Sequence, residues 1–364
     1  MEIEEVIITY AQLKQGLQRY KDPFGVGGFC YVPGVNNMFI TNPNVEDENE
    51  PLLILELGDG AILGREYFYP TKMIIKGQIV NSFASSSLLV AEQGRKYMLG
   101  ASLVMYQINN KRDTVLLYGG MTEMAVDLYK KLKFTIFDIP TLWQIKNTRP
   151  ILQNFRLKGG VLSVVSKIFN SLVKPYIWLS SVPSKMYLNR FDIKKLSQTP
   201  VWVEDIVKND EHKYGEYHSK EWFDWVLHNS FAENRYHSQA LYGIYNNGEP
   251  IGFFLLTECG TSIEERNIDN VVFGTIREWG INDESVLGEK DIFLLALRCF
   301  SKRTDIVTIS TANAGVRKKM KKYGFLKHGK YNIAFRPLKM KLDEDSKDVN
   351  NWRIRPCYSD TAFY

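Results

Sequence analysis

The sequence predicts an α/β protein in which one layered unit occurs twice. Three observations predict it. Short apolar runs of strand length alternate with amphipathic runs of helix length along nearly the whole chain. One order (strand, helix, short strand, helix ending in an aromatic, closing strand) comes before residue 145 and again after residue 200. The 364 residues are 45% hydrophobic, which is enough apolar material for two cores. We therefore expect two tandem domains, 1–145 and 200–337, each a mixed central sheet flanked by helices. A basic, partly helical linker, 146–199, joins them, and an aromatic tail, 338–364, packs on both. Two copies of one fold are expected, rather than one large sheet.

The elements follow in order. The first twenty residues read as a strand and a helix, YAQLKQGLQRY. DPFGVGGFCYVPGVNN (22–37) is a loop whose glycines lack the dinucleotide spacing, and PNVEDENEP (43–51) is an acidic turn. LLILEL (52–57), REYFY (65–69), MIIKGQIV (73–80) and SSLLVA (86–91) read as strands. A helix follows Arg95, with Tyr97, Ala101, Val104, Met105 and Ile108 on one face. TVLLYGG is a short buried strand, and TEMAVDLYKKLKF is a helix that Thr122 caps, with Ala125, Leu128 and Leu132 inward. TIFDIPTLW closes the unit.

Residues 144–200 differ. Their charges are mostly positive, and Val161, Val164, Val165, Ile168, Phe169, Leu172 and Val173 form a helical apolar stripe. Such a stripe is expected to pack on its own protein; lying on a membrane is the weaker alternative. The longest apolar stretch, 161–182, is broken by Lys167 and Lys174, so no bilayer-spanning segment is expected. The second unit has an aromatic helix, KEWFDWVLHNSF, and a hairpin about Asn246–Gly248. NVVFGTIREWGI is a strand, GEKDIFLLALRCF a helix, DIVTIST a strand, NAGVRKKMKKYGF a helix and KYNIAFRP the closing strand.

The totals exclude several classes. Lys and Arg number 46 against 41 Asp and Glu, and a net charge of +5 is too small to call for DNA. Cys30, Cys259, Cys299 and Cys357 have no metal or redox spacing, which reads as free thiols in a cytoplasmic protein. The five histidines form no recognised metal pattern, so no metal is expected. There is no Gly-x-Ser-x-Gly and no Walker loop. The opening MEIEEVIITY is acidic where a secretion signal would be basic and then apolar. The run RKKMKK (317–322) is expected to be a solvated face.

The informative stretch is LLVAEQGRKYMLGASLV (88–104). A strand gives way to two cations and then to a small-residue pair, Gly100 and Ala101, at a helix start. Helix-opening amides lack internal partners and carry partial positive charge, so such a corner seats phosphate. The pattern resembles the GCN5-related N-acetyltransferase (GNAT) superfamily, in tandem, over nearly the whole chain. That family holds the pyrophosphate of coenzyme A with (Arg/Gln)-x-x-Gly-x-(Gly/Ala). Here Arg95-Lys96-Tyr97-Met98-Leu99-Gly100 matches it at Arg95 and Gly100, with Met98 in the place of the first glycine. The family's Leu-Tyr-x-Lys-x-Gly-Phe is matched by Leu128 to Phe134, with Lys133 replacing glycine. The second unit keeps Tyr323-Gly324-Phe325, has Met320 where the tyrosine would be, and lacks the phosphate motif.

The resemblance implies an N-acetyltransferase that moves an acetyl group from acetyl-CoA to a small-molecule or peptide amine. It implies that residues 95–101 hold the cofactor, that the strand edge Leu88, Leu89, Val90 binds the pantetheine arm, and that Tyr129 protonates the departing thiolate. The plain alternative for Tyr129 is a half-buried helix tyrosine with its hydroxyl at the surface. Asn313 caps the last helix of the second unit or faces an acceptor pocket. Tandem folds of this kind also occur in Fem-type aminoacyl transferases, which use aminoacyl-tRNA. A non-catalytic binding protein is the third reading, because Met98, Lys133 and Met320 depart from the motifs.

Overall fold

The computed structural model describes residues 2–15, 38–110, 114–149, 152, 159–230, 236–261 and 271–363. The glycine-rich loop 22–37, Cys30, Tyr364 and part of the basic segment lie outside them. Fourteen strands are present among the described residues: β1 (Ile3–Thr9), β2 (Pro51–Gly58), β3 (Ala61–Ile75), β4 (Gln78–Val90), β5 (Val115–Gly119), β6 (Thr135–Ile145), β7 (Asp192–Lys195), β8 (Tyr214–Tyr217), β9 (His237–Asn246), β10 (Glu249–Gly260), β11 (Val272–Ile281), β12 (Ile306–Ser310), β13 (Leu326–Pro337) and β14 (Trp352–Arg353). The helices are α1 (Tyr10–Gln15), α2 (Glu92–Arg95), α3 (Leu99–Asn110), α4 (Glu123–Lys131), α5 (Gly159–Leu188), α6 (Val201–Lys208), α7 (Lys220–His228), α8 (Glu289–Ala296) and α9 (Ala314–Met320).

All fourteen strands belong to one sheet. Its main path runs β1-β2-β3-β4-β5-β13-β6-β12-β11-β10-β9-β7. Read from either end, the path gives the same relations. Every pair is antiparallel except β4 with β5 and β11 with β12, which are parallel. A pseudo-two-fold axis therefore passes between β13 and β6. The repeated unit is present, but its two sheets are fused, which corrects the expectation of two separate sheets. The reason is an exchange. β13, from the end of the second half, fills the place between β5 and β6, and β6 fills the matching place between β12 and β13. No local sequence pattern records which half a closing strand will join.

Alternating side chains supply both faces of the sheet. Ile54, Phe68 and Phe83 lie under α3 and α4. Phe254, Ile276 and Val307 lie under α8 and α9. The opposite face is a single core common to both halves, with Leu53, Tyr67, Leu241 and Phe253 beneath α1, α6, α7 and the tail. Trp352 packs on Tyr214 and Phe335, and Phe363 packs on Trp225, so the tail ties the two halves on that face.

Three sequence expectations change in detail. MIIKGQIV is not one strand but the tip of the β3–β4 hairpin. Lys76 and Gly77 turn it with φ of 51° and 80°, as Asn247 and Gly248 turn β9 into β10 with 51° and 89°. The buried face of α3 is Leu99, Leu103, Val104 and Gln107, while Tyr97 and Met105 are exposed. The helix sits over Gly64 of β3, whose missing side chain lets Leu103 approach. Over 160–172 the stripe on α5 does not pack inward: Leu162 and Ser166 are buried there, Asn170 is bonded to Thr148, and the side chain of Val173 lies outside the described residues. Polar anchoring turns Val161, Val164, Ile168, Phe169 and Leu172 outward.

Candidate active site

The parallel pair β4 and β5 is joined only from Ser82–Val115 to Ala84–Leu117, and then parts. The cause lies in β4. Arg65 faces Leu89 and Tyr67 faces Ser86, so both Ser87 and Leu88 stand opposite Glu66. This is a β-bulge with Ser87 at φ 55°, and a bulge re-aims a strand. Leu88, Leu89 and Val90 follow it as a partly exposed edge with no strand partner on the β5 side among the described residues.

The edge leads through α2 to the opening of α3. The first helical hydrogen bonds run from Ala101 and Ser102 to the Met98 carbonyl, so the N–H groups of Leu99 and Gly100 precede them. There is no acid in the first turn of α3, and Arg95 and Lys96 are exposed beside it. Met98 is 70% exposed and does not fill the corner. Its φ is 58°, in the left-handed region that favours glycine. Lys133, at the other lost glycine, has φ 62°, and Gly324 keeps φ 80° at the matching place in the second half. At both places a non-glycine residue holds a left-handed backbone. A side-chain carbon added at Gly100 would touch Val90 and Leu128 at 3.5 and 3.7 Å, so this residue faces the space between β4 and α4.

Tyr129 is fully buried, which excludes a surface hydroxyl. Its ring packs against Tyr118 of β5 at 4.3 Å and against Phe134. The Tyr118 hydroxyl donates to Gln107 Oε1 at 2.7 Å. Ser85 Oγ donates to Glu66 Oε1, and Glu66 Oε2 has no hydrogen-bond partner. Burial pushes the Glu66 carboxyl up to about 8 against the opposing effect of the Ser85 hydrogen bond and the nearby Gln107 amide. A polar group of Glu66, Ser85, Gln107, Tyr118 and Tyr129 thus lies beneath the parting strands. Sequence reading found only Tyr129. The available signal was Glu66 in REYFY, an acid two residues from Phe68 and so on the same inward face.

On the other side, the tail covers the parting. Ser359 Oγ donates to the Ser85 carbonyl at 2.7 Å. A carbon added at Gly119 or Gly120 would meet the Tyr358 carbonyl or Thr361 within 2.7 Å, so both glycines are needed for this approach.

The second half repeats the parting. β11 and β12 pair from Phe273–Ile306 to Thr275–Thr308 and then separate. A cavity of about 730 Å3 lies where they do, between Trp279 and Ile281 on one side and Thr311 and Asn313 on the other. Asn313 Oδ1 accepts from Val316 N at 3.1 Å, so it caps α9 and also lines the cavity. The opening of α8 is closed by its own acid, since Gly288 N donates to Asp291 Oδ2 at 3.3 Å. Asp210, Glu211, Asp283, Glu284 and Glu289 line the cavity, with Arg355 as the sole lysine or arginine among its lining residues. Such a site repels a pyrophosphate and attracts a cation.

One further cluster joins the tail to the second half. His218 Nδ1 lies 2.6 Å from Glu278 Oε2, with Cys357 Sγ 3.2 Å from the same oxygen and Arg353 2.8 Å from Glu278 Oε1. Burial opposes the charged forms. Even so, Arg353 and His218 hold Glu278 down at about 2, and Glu216 and Glu278 hold His218 above its ordinary value. The ligand atoms of His218, Glu278 and Cys357 lie within 4.8 Å of one another, a grouping hidden from sequence reading by its spacing. The carboxylates Asp210, Glu216 and Glu278 are already paired with His218, Arg353 and Arg355 in this cluster.

A strand parting from its parallel neighbour beside a helix start occurs twice in this chain, and the fold is that of the GCN5-related N-acetyltransferases. Comparison with solved structures agrees. N-myristoyltransferase of Saccharomyces cerevisiae with bound myristoyl-CoA matches with a TM-score of 0.56, over 94% of this chain and 86% of that one, at 12% identity. A GCN5-related N-acetyltransferase from Anabaena variabilis matches with a TM-score of 0.53, over 93% of this chain and 73% of that one, again at 12% identity. Likeness at that identity establishes the fold. No protein-family model matches the sequence. No curated protein matches it either.

Proposed function

We propose that the protein is an acyltransferase that moves an acyl group from acyl-CoA to an amine, an acetyl group in the simplest case. The observation that carries this is the gap between β4 and β5 with the acid-free opening of α3 at its end. In this reading the amides of Leu99 and Gly100, with Arg95 and Lys96, bind the pyrophosphate. The edge Leu88–Val90 hydrogen-bonds the pantetheine arm as an added strand would. A backbone N–H at the Ser87 bulge meets the developing oxyanion of the thioester. Tyr129, with Tyr118 beside it, returns a proton to the thiolate as the carbon–sulfur bond breaks. Glu66, linked to β4 through Ser85, titrates close to neutrality and can exchange a proton there at physiological pH. The acid-lined cavity of the second half favours a cationic acceptor. The fold neighbours support acyl-CoA as donor: one was solved with myristoyl-CoA. They also make chain length the first question.

Calorimetry and thiol release with acetyl-, octanoyl- and myristoyl-CoA, with coenzyme A and dephospho-CoA as controls, test the proposal. Micromolar binding of at least one acyl-CoA is expected, with thiol release when amines are supplied. Absence of binding by every member of the set at millimolar concentration would overturn it.

A further inference from the structure

The outward face of α5 is a feature that the donor site leaves unused. Val161, Val164, Ile168, Phe169 and Leu172 are 49% to 68% exposed and recur at helical spacing along one arc. The helix contains no Asp or Glu. It is fixed to the protein by its other side, through Leu162, Ser166 and Asn170. Lys167 is exposed on the flank of the apolar arc.

Charge identifies the occupant. Residues 144–200 hold ten Lys or Arg and a single acid, Asp192, a net of +9. The chain as a whole is +5, so the remainder is −4. An apolar arc inside a strongly cationic segment matches a surface that offers hydrocarbon beneath negative headgroups. A second copy of the chain would bring two such cationic segments together, which opposes self-association. Among the described residues no helix is long and apolar enough to cross a membrane, which fits a helix that lies in the interface plane.

We propose that α5 docks this protein reversibly on membranes containing anionic phospholipid. Its apolar arc enters the acyl boundary and the surrounding lysines and arginines meet the headgroups. This inference is independent of the acyl-CoA reading.

The test is sedimentation of the full chain with vesicles of phosphatidylcholine alone or with about 30% phosphatidylglycerol. Binding is expected with the anionic vesicles, weaker with neutral ones, and weaker again at high salt. The double variant Val164→Glu/Ile168→Glu is expected to lower the partition coefficient by at least ~10-fold, and Lys167→Glu by ~3-fold. Both pairs of positions are already solvated, so the variants should fold, which circular dichroism checks; Phe169→Ala/Leu172→Ala serves as a milder second pair. No sedimentation at millimolar lipid overturns the proposal. So does binding that ignores both double variants. So does a wild-type dimer that the same variants dissociate, since that would assign the face to a second copy.

Discussion

The two partings of the sheet share a backbone and oppose each other in charge. At β4 and β5 the gap ends on a helix opening without acids, flanked by Arg95 and Lys96. At β11 and β12 the opening of α8 carries Glu289 and Asp291, and Asp291 closes on Gly288 N. The same helix-end dipole is left free in one half and neutralised in the other. A repeated architecture thus sets where a ligand can sit, and a few first-turn side chains set its sign. Two buried glutamates make the same point. Glu278 has Arg353 and His218 as partners and stays ionised; Glu66 has hydrogen bonds but no cation among its pKa-shifting partners, and burial lifts it to about 8.

Four experiments break or sharpen this contrast. The largest effect is expected from Glu278→Gln, which leaves Arg353 and His218 buried against a neutral amide. A loss of about 3–5 kcal/mol in urea unfolding at neutral pH is expected for such a broken pair. Because the folded pKa of Glu278 lies below its unfolded value of about 4.5, its contribution is present above 4.5 and fades as pH falls towards 2. The variant and the wild type should therefore converge in acid, and an undiminished difference near pH 2 would remove the ion pair as the cause.

Glu66→Gln should act with the opposite sign. Its folded pKa is raised, so the stability tied to its proton is complete below about 4.5 and is lost as pH rises through 8. The variant should match the wild type in acid and gain on the order of a few kcal/mol by pH 8, from the same unfolding curves. Equal pH profiles for the two proteins would count against a buried, uncompensated carboxyl.

Next comes Gly100→Trp, placed between Val90 and Leu128. It should weaken acyl-CoA binding by ~100-fold in calorimetry, since the amides that hold the phosphates are then covered. Gly288→Trp at the corresponding opening should leave donor affinity unchanged. If both variants weaken it alike, the donor does not discriminate between the halves. The smallest effects belong to Met98→Gly and Lys133→Gly. Each relieves a left-handed non-glycine residue and should stabilise by about 1 kcal/mol in thermal unfolding, without changing the fold.

Local features of this fold were readable from the sequence. Thr122 and Asn313 cap their helices, and Asn247 and Gly248 turn their hairpin. The chemistry of those positions depends on neighbours within four residues. What could not be read depends on distant partners. The His218 cluster joins residues 60 to 139 positions apart, and the cavity draws on five separate segments from Asn209 to Arg355. The outward turn of α5 was misread because periodicity gives an apolar face but not its direction. The left-handed backbone at Met98 and Lys133 could not be read either, because sequence alone does not report φ.

The crossed closing strands carry a consequence for how the chain is made. As the first half leaves the ribosome, β5 and β6 cannot take up their native neighbour, since the strand that belongs between them follows β12 in the chain. Their edges must stay unpaired, or be shielded by a chaperone, until β13 has been made. Severing the chain between the halves should yield two fragments that are each insoluble alone and recover the native sheet only when refolded together.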